Sequence, residues 1–191
     1  MIKSLILAAV VGGWFLPKIS PAQDAEIYVP PPPPTKLETL ETNTGTIIIK
    51  GTGLVGSLSL NSVVVTVTCK EDTNLGSGQK EFGIAIDMGA NPRQAFRTIL
   101  DYDELAPLLN AMDYLAKVDW SVTSLSSFSA SFTTKGGFRI AAFSSKRATA
   151  IDFSIRDEHM NRGVLLTQTQ LAQFRSLIEQ AKTNLDGIRG T

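Results

Sequence analysis

Ile99-Leu-Asp-Tyr-Asp-Glu-Leu-Ala-Pro-Leu-Leu-Asn-Ala-Met-Asp-Tyr-Leu115 and Leu165-Leu-Thr-Gln-Thr-Gln-Leu-Ala-Gln-Phe-Arg-Ser-Leu-Ile-Glu-Gln-Ala181 decide the fold, because they overlay at a constant offset of 66 residues. Leu105 falls on Leu171, Leu108 on Phe174, Ala111 on Leu177, Met112 on Ile178 and Leu115 on Ala181. Apolar residues three and four apart share one face of a helix, so each stretch carries a core-facing stripe. Each also opens on a capping residue followed three positions later by Glu or Gln: Asp101 with Glu104, and Thr167 with Gln170. Such a pair satisfies backbone donors that the first helical turn leaves without partners. The pattern predicts helices from about Tyr102 to Lys117 and from about Gln168 to Leu185, with Gly187 ending the second.

Strand signals precede both helices. Thr46–Lys50, Leu54–Leu60, Val63–Lys70, Phe82–Asp87 and Phe96–Leu100 lead to the first. Phe128–Thr134, Phe138–Phe143, Ala150–Arg156 and Gly163–Leu166 lead to the second. Val63, Val65, Val67 and Cys69 share one face by the two-residue period, as do Phe82, Ile84 and Ile86. The links between strands are short, which favours antiparallel pairing. The chain therefore reads as α+β: two β-rich units, about 45–118 and 119–191, each ending in one helix. The helix stripes cover the apolar sheet faces.

The order β-β-β-β-α, twice, with a helix start such as Val164-Leu-Leu-Thr167 leading to Leu171 and Phe174, resembles the PUR and Whirly folds. That resemblance implies binding of single-stranded nucleic acid through basic and aromatic residues on the sheets. The stretches Asp101-Tyr-Asp-Glu-Leu105, Tyr114-Leu-Ala-Lys-Val118 and Phe132-Thr-Thr-Lys135 look like those of small exported bacterial proteins of uncharacterised function. This second resemblance implies export and no particular activity.

The N-terminus reads as a secretory signal. Lys3 is followed by the apolar run Leu5–Leu16, then Pro17, then Ser20-Pro21-Ala22 with small residues at both cleavage positions. A run of that length falls short of the roughly 20 residues a membrane span needs. Cleavage is expected between Ala22 and Gln23, giving a secreted or periplasmic product with no transmembrane anchor. Residues 23–44 include the run Pro30–Pro34 and read as a stiff, proline-rich tether to a globular domain over 45–191.

The full chain has 18 basic and 18 acidic residues. Loss of Lys3 and Lys18 with the signal leaves the product slightly acidic, and no basic run exceeds two residues. Such a balance disfavours nucleic acid as the partner, which needs clustered positive charge. Cys69 is the only cysteine, so no internal disulfide stabilises the domain. Its place on the valine face marks a buried, inert thiol.

Few motifs carry chemistry. Gly51-Thr-Gly53-Leu-Val-Gly56 matches a dinucleotide fingerprint, but strand residues follow it where a helix is required, so we read bulge or hairpin glycines. Asp101, Asp103 and Glu104 are the residue types that hold a divalent cation, yet the matched residues of the second stretch are Thr167, Thr169 and Gln170, which share only capping capacity. One histidine, His159, and one cysteine leave no His/Cys zinc set, and no Gly-x-Ser-x-Gly elbow is present. We therefore expect no catalytic, metal or cofactor site. The expected role is an exported binding or structural module for an exported protein or polymer. It would make contact through sheet faces or edges that the helices leave open. The candidate surface is Trp120, Lys135, Arg139, Lys146 and Arg147. Alternatives are PUR/Whirly-like nucleic-acid or polyanion binding, with the four cations gathered on one face, and a hydrolase using two carboxylates.

Overall fold

The computed structural model describes residues 35–90, 95–144, 150–158 and 162–190. Ala22, Gln23, Pro30–Pro34, Lys146, Arg147 and His159 lie outside the described residues.

Strands β1 (Ile48–Leu60), β2 (Val63–Asn74), β3 (Lys80–Gly89) and β4 (Phe96–Asp101) form one antiparallel sheet in chain order. Strands β5 (Ser129–Thr133), β6 (Phe138–Ser144), β7 (Ile151–Asp157) and β8 (Arg162–Leu166) form a second, again in chain order. Each sheet runs into a helix, α2 (Tyr102–Leu115) after the first and α3 (Gln168–Arg189) after the second. The α+β layout expected from the two capped stripes is the one observed.

Both helices are spent on the core. α2 packs against β3, β4, β5 and β6, α3 against β1, β2, β3, β7 and β8, and the helices touch each other. Their stripes, including Leu105, Leu108, Met112, Leu171, Phe174 and Ile178, join the inner faces of both sheets in one apolar cluster. Arg175 clamps Asp113 across the helices with two hydrogen bonds of 2.6 and 3.0 Å. Thr98 Oγ1–H donates to Asp157 Oδ2 at 2.5 Å, joining the sheets inside the fold.

Three expectations need correction. The signals Thr46–Lys50 and Leu54–Leu60 merge into the single strand β1, whose register shifts between Leu54 and Gly56. The glycines between them thus sit in a bulged strand, which keeps pairing through the irregularity. Second, Gly187 does not stop α3. A helical glycine costs only about 1 kcal/mol, and the Arg189 guanidinium lies 3.8 Å from the centre of the Tyr102 ring, which favours the extra turn.

Third, ordered structure starts before residue 45. α1 (Lys36–Glu41) begins at Thr35, which forms a capping box with Glu38. Leu37 and Leu40 are buried, and α1 packs on β2, β3 and β4. Neither leucine belongs to the central cluster, so α1 builds a small second core on the outer face of the first sheet. Asp101 fastens it there. Its carboxylate accepts from the Lys36 and Leu37 backbone N–H groups at 2.9 and 3.2 Å.

Candidate functional site

Because side chains alternate along a strand, each sheet has an outer face turned away from the shared core. On the second sheet the cross-strand register puts Thr133, Arg139, Arg156 and Gly163 in one row across β5–β8. Arg139 and Arg156 are direct partners on the central strands β6 and β7. Beside them a groove of about 470 Å³ is lined by Ser129, Ala141, Phe143, Ser154 and Leu165 together with the two arginines. Leu165 is 60% exposed. Asp152 shares this face, opposite Phe143.

Arg139 Nη1 donates to Glu158 Oε1 at 3.0 Å, while its buried Nε has no hydrogen-bond partner among the described residues. A Cβ at Gly163 would lie 3.2 and 3.3 Å from Arg156 Cβ and Cγ. The bare glycine therefore leaves the space beside the Arg156 stem.

The first sheet can be aligned strand for strand through Leu100 and Leu166, the last sheet residue before each N-cap that faces the core. Its matching row is Ser57, Thr66, Asp87 and Arg97. Here every charge is answered. Arg97 Nε and Nη2 donate to Asp87 at 2.8 and 3.0 Å, and the Ser57 and Thr66 hydroxyls share a hydrogen bond of 2.9 Å. A groove of about 550 Å³ lies there too, lined by Val64, Thr66, Gly89 and Ala95 with that ion pair.

Under α1 the first sheet buries a charged cluster. Lys70 bridges Glu41 and lies 3.5 Å from Asp72, while Lys50 meets Glu41 at 2.5 Å. Asp72 is fully buried, and neither of its carboxylate oxygens has a hydrogen-bond partner. Burial and the adjacent Glu41 push Asp72 up to about 6. Burial pushes Glu41 up as well, but the hydrogen bonds that Lys50 and Lys70 donate outweigh it and bring Glu41 to about 2. These two acids share Lys70 as a neighbour, but Asp72 sits sealed from solvent, where no substrate reaches it.

The structure separates the candidate surface residues. Arg139 belongs to the outer-face row. Lys135 sits in the β5–β6 turn, where its N–H donates to Glu104 Oε1 at 2.6 Å. Trp120 stands at the other end of that hairpin, edge-on to Phe128 with ring centres 5.7 Å apart, and is 41% exposed. Arg156, Ser154, Phe143 and Gly163 were missed, because only the register shows which residues oppose one another. Strand alternation is the signal that could have put them on one face, and nothing in it pairs the two arginines.

The other motifs are taken up structurally. Cys69 is buried, its Sγ–H directed at the Ala181 carbonyl at 3.5 Å, and burial pushes the thiol up. Asp103 pairs with Lys36 at 2.8 Å, and Glu104 also accepts from the Asp101 N–H at 3.1 Å. Among the described residues no group of acids, histidines or cysteines is arranged to hold a metal ion, and no helix is long and apolar enough to cross a membrane. Comparison with protein-family models, curated proteins and solved structures finds no match.

Proposed function

We propose that this chain is an exported, non-catalytic binding module that engages an envelope or extracellular component through the outer face of its second sheet. One observation carries the reading. Both long helices are consumed by the core, and no described helix covers this face, a groove floored by small residues and flanked by Phe143 and Leu165. A concave surface with apolar flanks and a few directed polar groups is the usual form of a recognition site. The first sheet's groove is larger, but its charged residues already satisfy each other.

The test is a photo-crosslinking residue placed at Leu165, expressed in the native cells, with a second placed at Tyr114 on α2 as a control. Both positions are exposed. A reproducible exported adduct from position 165 and none from 114 is expected. Equal yields from both positions, or none from 165 in a folded sample, would exclude the face. Export is checked separately by mass spectrometry, which should find Gln23, or its cyclised form, at the mature N-terminus. An intact Met1 in a cytoplasmic fraction would overturn it.

A further inference from the structure

We infer that the Arg139–Arg156 pair is a seat for the carboxylate of an acidic polysaccharide. This rests on the binding reading above and names the ligand class of that same face.

Two like charges directly opposite on a sheet repel, and a cross-strand pair of arginines is a costly choice in an unoccupied face. At the matching place the first sheet carries Asp87 beside Arg97, a neutral bidentate pair. The second sheet replaces the acid by Arg156 and its cationic partner by Gly163, and it sets Arg139 where Thr66 stands. Glu158 occupies a single Nη1 donor of Arg139. The Arg139 Nε is shielded from solvent, so Arg139 would meet a ligand through its terminal nitrogens, and Arg156 has no ion-pair partner among the described residues. Guanidinium groups match a planar carboxylate through two parallel N–H bonds, so with Glu158 already beside Arg139 one ligand carboxylate answers the charge left over.

The rest of the groove selects the carrier. Ser129 and Ser154 offer hydroxyls that can trade hydrogen bonds with sugar hydroxyls. Ala141 and Gly163 keep the floor low, and Phe143 and Leu165 present apolar surface to the C–H faces of a sugar ring. An extended acidic peptide would instead add to a sheet edge, whereas β6 and β7 are the central strands. Single-stranded nucleic acid needs a basic track with successive stacking platforms. Among the described residues that line this groove Phe143 is the only aromatic one, and Asp152 shares the face.

The experiment is NMR of arginine side-chain Nε–Hε groups in the exported chain, titrated with oligogalacturonate at low salt. Saturable shifts at Arg139 and Arg156 are expected. A doubly substituted Arg139→Gln, Arg156→Gln chain should lose tenfold or more in affinity, while Arg97→Gln on the other sheet should bind as the parent does. No shift, or an equal loss from Arg97→Gln, overturns the seat. Equal binding of polyglutamate or of a thymidine oligomer overturns the sugar assignment. Crosslinks from position 165 that persist without any oligogalacturonate response remove the seat and leave the face. Loss of both removes both.

Discussion

The outer faces of the two sheets share a backbone plan and differ in what covers them. On the first sheet, Gly83 and Lys70 lie at the end that α1 covers. The matching residues of the second sheet are Asp152 and Phe143, and no described helix packs over them. A Cβ at Gly83 would run into the Leu100 carbonyl and come within 2.6 Å of Leu37 Cδ1. The glycine is thus the space into which α1 inserts its leucine. Farther along the strands, the first sheet pairs Asp87 with Arg97 and the second opposes Arg139 to Arg156. One face has been turned into internal structure; the other keeps unanswered donors. A repeated scaffold can therefore divide its labour by changing a few outward residues while both inner faces stay largely apolar.

The largest effect should come from undoing the cover. Leu37 is completely buried between α1 and the sheet. Leu37→Ala leaves a cavity and should cost about 3 kcal/mol, within the usual 2–5 for a buried leucine. Urea denaturation measures it directly. A loss below about 1 kcal/mol would mean that α1 is an appendage, and the contrast between the faces would collapse.

A smaller effect comes from the cluster under α1. Asp72 is raised in the fold to about 6 from an ordinary 3.8, so its contribution is full below pH 4 and is lost as pH rises through 6. Glu41 is lowered to about 2 from 4.5, so its contribution is present above pH 4.5 and is lost as pH falls through 2. The two acids lie on either side of Lys70, so their titrations are linked and belong to the pair. Stability from the cluster should peak near pH 4–5 and decline by about 1–3 kcal/mol toward pH 7. Asp72→Asn should flatten that decline, read as the urea midpoint at pH 4.5 against pH 7. An unchanged pH slope would show that Asp72 is not the group that carries the decline. The second sheet has no such cluster among its described residues, so substituting its outer face should leave the slope alone.

Sequence alone went far with the fold, because its signals were local. The stripes through Leu105–Leu115 and Leu171–Ala181, with their capping residues, contained most of what places the helices. α1 escaped notice because Lys36–Glu41 is too short to show a period and lies beside a proline run, and its two buried leucines depend on Gly83 and Asp101 far along the chain. The site was less legible for the same reason. Arg139 was readable as a basic residue on a strand, but Arg156 became its partner only through the β6–β7 register. Lys135 and Trp120 looked equally suitable in one dimension and stand at opposite ends of a hairpin in three.

The smallest effect is the sharpest test, because it predicts opposite signs for arginines in matching rows of the two sheets. Arg97 is about 60% exposed and meets Asp87 bidentately, so Arg97→Gln should cost about 0.5–1 kcal/mol, the upper part of the range for an exposed pair. Arg156→Gln relieves repulsion from Arg139 and should stabilise the fold by about 0.2–1 kcal/mol. Salt screens both interactions, so 1 M NaCl should shrink the loss and the gain together. Paired denaturation curves at low and high salt decide the matter. If Arg156→Gln destabilises as Arg97→Gln does, the second arginine is held by contacts within the sheet, and its charge is not being kept for a ligand.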